Sequence, residues 1–171
     1  MNSLPISPNH LYVIALGSNR PHGLHGRPES ILAAAMVHLQ AHDVVLFALS
    51  PTQQSAAIGP SQRRYANAAA LISTALPPPD LLSLFKQIER AFGRRRGQRW
   101  GRRVLDLDII LWSGGLWQSP ALSIPHPHWQ SRRFVTGPLA MLAGDWRDPV
   151  TGLNVRHIAR RIGRPKPIKQ R

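Results

Sequence analysis

Arg94-Arg95-Arg96-Gly97-Gln98-Arg99-Trp100-Gly101-Arg102-Arg103-Val104-Leu105-Asp106-Leu107-Asp108-Ile109-Ile110-Leu111 is a run of arginines that turns abruptly into an apolar segment carrying two aspartates. Only eight acidic residues occur in the chain, and two of them stand here, two positions apart. The alternation of Leu105, Leu107 and Ile109 with the aspartates predicts a strand, whose successive side chains point to opposite faces. The apolar three then enter a core, and Asp106 and Asp108 converge on the other face. Two carboxylates beside a fan of guanidiniums is the chemistry of a magnesium–polyphosphate site, holding one ion or two that share the carboxylates. A bare Asp-x-Asp is weak evidence alone, because the same groups also suit a structural salt-bridge network.

Working outward, Pro77-Pro78-Pro79-Asp80 stops one element and starts a helix on which Leu81, Phe85, Ile88 and Phe92 keep 3.6-residue spacing. Gly93 stands where a C-terminal cap belongs. Residues 65–76 read as a strand paired with an earlier one over 44–55, which is interrupted or bulged near Pro51. Residues 11–16 are a buried strand that ends in a turn at Gly17-Ser18-Asn19. Pro28-Glu29 opens a helix with Ile31, Ala35 (or Leu32) and Leu39 on one face. After the aspartates come a turn at Ser113-Gly114-Gly115, a helix over 134–143, and an amphipathic helix over 153–162 with its arginines outward. The order β-α-β-β-α-β is the split arrangement of α+β, ferredoxin-like folds. Such a fold has an antiparallel sheet with helices on one face and the other face free for ligands, here with additional C-terminal helices. Residues 1–10 are expected as an N-terminal extension, 11–162 as a single domain, and 163–171 as a basic, disordered tail.

At 171 residues and 43% apolar composition, one domain with a proper core is expected. No apolar run approaches the ~18 residues of a membrane span, and no signal pattern opens the chain, so a cytoplasmic location is expected. The absence of cysteine excludes disulfides, thiolate ligands and thiol nucleophiles. The net charge of +14 comes from nineteen arginines and only three lysines. Arginine is the bidentate partner of phosphate, so a polyanionic ligand is expected, either nucleotide or nucleic acid. A high-GC genome would also favour arginine. No Gly-Lys dipeptide occurs, which excludes a Walker-A loop, and the kinase and zinc-protease motifs are missing. His126 and His128 lack an evident third zinc ligand. Tyr65-Ala66-Asn67 offers a ring and an amide on one strand face, suited to a flat heterocycle or to ordinary packing.

As an ordered set, these pieces resemble the 6-hydroxymethyl-7,8-dihydropterin pyrophosphokinase family. The resemblance runs from about Tyr12 to Asp148. It is carried by Ala15-Leu16-Gly17-Ser18-Asn19, Gly59-Pro60, Tyr65-x-Asn67-Ala68, Ile88-Glu89 and Gly93-Arg94-x-Arg96. Arg99-Trp100-Gly101-x-Arg103-x-Leu105-Asp106-Leu107-Asp108-Ile109 is the most specific block, followed by Ile124-Pro125-His126, Arg132-x-Phe134 and Pro138-Leu139. The resemblance implies transfer of pyrophosphate from ATP to the pterin hydroxymethyl. It implies two Mg²⁺ ions on Asp106 and Asp108, and Arg94 and Arg103 as catalytic-loop arginines. Glu89, Arg96, Arg99, Trp100, Ile109, His126 and Arg132 would line the ATP site. Ser55, Ile58, Tyr65, Asn67 and Phe134 would hold the pterin, with Tyr65 and Phe134 sandwiching its ring.

The chain departs from the family at Arg102, at Ser55-Ala56-Ala57 in place of Thr-Pro-Pro, and at Lys86 in place of a glutamine. Both the second loop and the arginine loop are about one residue short. A monomer is expected, with ATP and the hydroxymethyl-dihydropterin as its partners and neither membrane nor nucleic acid among them. The competing readings are a nucleic-acid-binding ferredoxin-like module and a family member without turnover. Against the first, the RNP aromatic motif is absent, and carboxylates in a basic face would repel phosphate unless a metal intervened.

Overall fold

Proline at the first turn of a helix gives up no hydrogen bond and presets φ, which is why both N-terminal helices begin where the prolines stand. In the computed structural model, which describes residues 9–55, 64–93 and 104–163, α1 (Pro28–Gln40) buries Ile31, Leu32, Ala35, Met36 and Leu39. α2 (Pro78–Ala91) buries Leu81, Leu84, Phe85 and Ile88. Gly93 follows at φ 88°, the left-handed conformation that ends a helix and favours glycine.

Five strands form an antiparallel sheet: β1 (His10–Ser18), β2 (Val45–Leu49), β3 (Gln53–Ser55), β4 (Tyr65–Thr74) and β5 (Asp106–Trp112). Their order is β2-β4-β1-β5, and β3 continues along β4 beyond the break at Pro51. The expected interruption near Pro51 is therefore the gap between β2 and β3. β4 sits between β2 and β1 and is buried on both faces. Its Ala66, Ala68, Ala69 and Ala70 prefer helix intrinsically, yet a central strand needs small buried residues on both sides, and burial wins.

Alternate side chains divide into two cores. On one face Tyr12, Ile14, Leu16, Ala68, Ile72, Leu107 and Ile109 pack under α1 and α2. On the other, Val13, Ala69, Ile110 and Leu111 pack against Trp129, α3 (Arg133–Ala143) and α4 (Val155–Gly163). The helices expected on one face are α1 and α2, and the additional C-terminal helices, α3 and α4, lie on the second face, which is therefore not wholly free. α3 and α4 cover part of that second face because Val135, Leu139, Val155 and Ile158 need burial. The sheet with its four helices is a mixed α/β architecture among the described residues. A small hairpin of β6 (Trp117–Gln118) and β7 (Ser123–Ile124) follows β5 and was not anticipated. No helix among the described residues is long and apolar enough to cross a membrane.

Ile58, Arg94, Arg96, Arg99, Trp100 and Arg103 lie outside the described residues. So do residues 1–8 of the expected extension and 164–171 of the expected tail. Gly163, where that tail was expected to start, is the last residue of α4.

Candidate active site

Leu105, Leu107 and Ile109 are buried at 1%, 0% and 2% exposure, so the alternation holds and Asp106 and Asp108 face the other way. Both are half-buried. Cross-strand partners share a face. Asp106 is opposite Gly17, and Gly17 is opposite Asn67; Asp108 is opposite Ala15, and Ala15 is opposite Ala69. Asn67, Gly17 and Asp106 therefore form one row across three strands, spanning about 10 Å at the usual inter-strand spacing. Gly17 is a strand residue here, not the turn residue expected of it. A Cβ on it would stand 3.7 Å from Asn67 Oδ1, in ordinary contact, and would cover the floor between amide and carboxylate.

Asn67 is buried, and its Nδ2 donates to Ser55 Oγ at 2.9 Å and to the Tyr65 carbonyl at 3.2 Å. That fixes which way the amide points and ties β3 to β4. Ser55 and Phe134 line one cleft of about 290 Å³ with Gln53, Thr136 and Gly137. Tyr65 lines a neighbouring one of about 360 Å³ with Arg27, Glu29, Gln54 and Arg64. Asn67→Ala is expected to weaken binding of a pterin by about 10-fold, the cost of one or two lost hydrogen bonds in a buried setting. Nucleotide affinity should stay unchanged in the same variant, as measured by calorimetric titration with each substrate separately.

A third cleft, of about 430 Å³, joins Lys86, Asp108, Ile109 and His126 with the β6–β7 residues Gln118 and Ser123. Three residues assigned to ATP or metal on sequence grounds thus meet there. The His126 backbone N–H donates to the Ile110 carbonyl at 3.1 Å, while its buried Nδ1 has no hydrogen-bond partner among the described residues. Glu89, also assigned to ATP, is fully buried behind β5. Arg132 is half-buried at the N-terminus of α3, beside Phe134.

Burial, and after it the neighbouring Asp106 carboxylate, push the Asp108 carboxyl above its ordinary value; His126 and Lys86 pull the other way. Two such carboxylates on one face are a hard-oxygen donor set that a divalent cation relieves. Among the described residues no group of three or more His, Cys, Asp or Glu converges to hold a metal. Mg²⁺ typically takes one or two carboxylates and completes its shell with water and substrate phosphates.

The cleft residues Gln118, Ser119 and Ser123 escaped sequence reasoning. Two-residue strands carry no periodicity, and only the Ser113-Gly114-Gly115 turn hinted at a hairpin.

Residues 13–144 match the family model described as 7,8-dihydro-6-hydroxymethylpterin-pyrophosphokinase. The chain is 44% identical over 137 residues to the 2-amino-4-hydroxy-6-hydroxymethyldihydropteridine pyrophosphokinase of Pseudomonas aeruginosa, covering 80% of this chain and 82% of that protein. It is 36% identical over 157 residues to the protein of the same name from Synechocystis, covering 88% and 78%. Among solved structures, Plasmodium falciparum HPPK-DHPS with pteroate superposes with a TM-score of 0.68 at 11% identity. The match takes in 90% of this chain but 44% of that one, and at such identity the likeness shows the fold alone. With its family model matched over most of its length, the chain belongs to the 7,8-dihydro-6-hydroxymethylpterin-pyrophosphokinase family.

Proposed function

We propose that this chain carries out its family's reaction on the sheet face described above: pyrophosphoryl transfer from ATP to the hydroxymethyl of 6-hydroxymethyl-7,8-dihydropterin, giving AMP and the pterin diphosphate. The observation that carries the proposal is the row Asn67–Gly17–Asp106, with Asp108 beside it. An amide suited to a flat heterocycle and two carboxylates suited to a metal–polyphosphate on one floor support that reading. Asp106 and Asp108 would hold Mg²⁺, which when bound would supply charge neutralisation at the phosphates. Ser55, Asn67, Tyr65 and Phe134 orient the pterin, together with Ile58. Ile109, His126 and Arg132 line the nucleotide side, together with Arg96, Arg99 and Trp100. The order β2-β4-β1-β5 supports reading the sheet as ferredoxin-like.

The attacking group is the pterin hydroxyl and the electrophile is the β-phosphorus of ATP, so no protein nucleophile is required. Catalysis here is alignment of two substrates plus neutralisation of charge. Arg94 and Arg103, in the arginine run that precedes β5 in the sequence, act on the phosphates. Incubating the protein with ATP, Mg²⁺ and the hydroxymethyl-dihydropterin should yield AMP and pterin diphosphate in equal amounts by ion-exchange chromatography. ATP left intact in the presence of the pterin would overturn the proposal.

A further inference from the structure

Glu89 lies in the last turn of α2 with no exposed surface. The carboxylate there pairs with Lys86, one turn earlier on the same helix. Burying one is costly unless it is paired and hydrogen-bonded, and negative charge at a helix C-terminus opposes the macrodipole. What it does is visible in its contacts. The Leu107 backbone N–H donates to Glu89 Oε1 at 3.0 Å. The Lys86 ammonium lies 3.2 Å from Oε1 and 3.0 Å from Oε2, holding the carboxylate in that pose.

Leu107 stands between Asp106 and Asp108, at the second residue of β5. Among the described strands β5 is at the edge of the sheet, so its outward N–H groups meet no neighbouring strand. Glu89 takes the place of that missing neighbour at this one amide. In an antiparallel ladder alternate residues turn their backbone groups to opposite sides. Fixing the outward amide of Leu107 therefore fixes the roll of the strand, and with it the direction in which both aspartates project.

We infer that Glu89 is a positioning residue for the carboxylate strand, acting through the Leu107 amide rather than on ATP itself. Its effect on turnover rests on the pyrophosphokinase reading; the hydrogen bond does not. An ATP contact, the role implied by resemblance, would need carboxylate surface that Glu89 lacks.

Two variants separate these roles. Glu89→Gln keeps an oxygen for the Leu107 N–H, whereas Glu89→Leu removes it at similar size. Glu89→Gln should keep kcat and the Mg²⁺ concentration for half-maximal activity within about 3-fold of wild type. Glu89→Leu should raise that Mg²⁺ concentration about 10-fold and speed Leu107 amide hydrogen exchange to a similar extent, on the scale of one charge-assisted hydrogen bond. Pterin affinity should not move. A KM for ATP raised about 10-fold in either variant, with metal dependence and Leu107 exchange unmoved, would make Glu89 an ATP contact and overturn the inference. If Glu89→Leu does not fold, Glu89→Gln decides: wild-type Leu107 protection with an unchanged KM for ATP supports the clamp, and lost protection overturns it. Amide exchange needs no turnover, so a chain that made no AMP would sink the pyrophosphokinase reading while leaving the clamp open to test.

Discussion

Replacing Asp106 or Asp108 by asparagine is expected to cut turnover by about 10³-fold or more, because several kcal/mol of charge neutralisation at the phosphates goes with the carboxylate. Pterin affinity should be nearly unchanged, since Ser55, Asn67 and Phe134 sit across the sheet from the exchanged group. Asp108→Asn also carries an expectation about stability. A carboxyl whose folded-state pKa is raised binds its proton more tightly folded than unfolded. Ionising it therefore costs stability as pH rises past the ordinary carboxylate value of about 4, and below that pH the cost disappears. At pH 7 without metal the variant should accordingly melt a few degrees above wild type, and near pH 3 the two should melt together. Adding Mg²⁺ and ATP should reverse the order at pH 7, because ligand that binds only the folded state stabilises it. Near-normal turnover in either variant would remove the metal assignment. Equal melting at pH 7 would mean that cationic neighbours already relieve Asp108 in the free protein.

The sheet and helices were legible where local signals were strong. Pro28, the prolines at 77–79 and Gly93 punctuate α1 and α2, and the Leu105–Leu107–Ile109 alternation sets β5 with both aspartates on one face. The expected pairing of the strand over 65–76 with the one before it is the observed pairing of β4 with β2 and β3. What did not follow was anything that depends on tertiary placement. The amphipathic pattern of α3 and α4 says that each buries one face, but not that the surface they bury against is the second face of the sheet. Gly17 reads as a turn glycine in a Leu-Gly-Ser-Asn string, and only the register with Asn67 and Asp106 makes it a floor. Glu89 is given to the ATP site by the family resemblance. Its burial and its bond to Leu107 depend on how α2 lies against the strand edge, which no spacing within the helix encodes.

Arg103→Ala should lower kcat by about 10²–10³-fold, the range seen when one group aimed at developing transition-state charge is removed. ATP affinity, by contrast, should fall only a few-fold. Arg103 lies outside the described residues, three positions before Asp106, so the expectation comes from sequence and charge rather than from its placement. Under the proposed reaction, the cleft lined by Lys86, Asp108 and His126 would offer the resting nucleotide a cation and a carboxylate for metal. A guanidinium from the arginine run adds most where charge shifts toward the leaving AMP and the bridging oxygens, which happens only during transfer. An interaction made only then lowers kcat and kcat/KM together and leaves ground-state binding alone. Arg103→Lys should recover only part of the loss, because an ammonium keeps the charge but not the bidentate fork. Single-turnover measurements with saturating substrates separate the chemical step from product release. If the chemical step kept its rate while the dissociation constant for ATP rose about 100-fold, the binding energy would be spent in the ground state and Arg103 would be an anchor for the phosphates rather than a catalytic group.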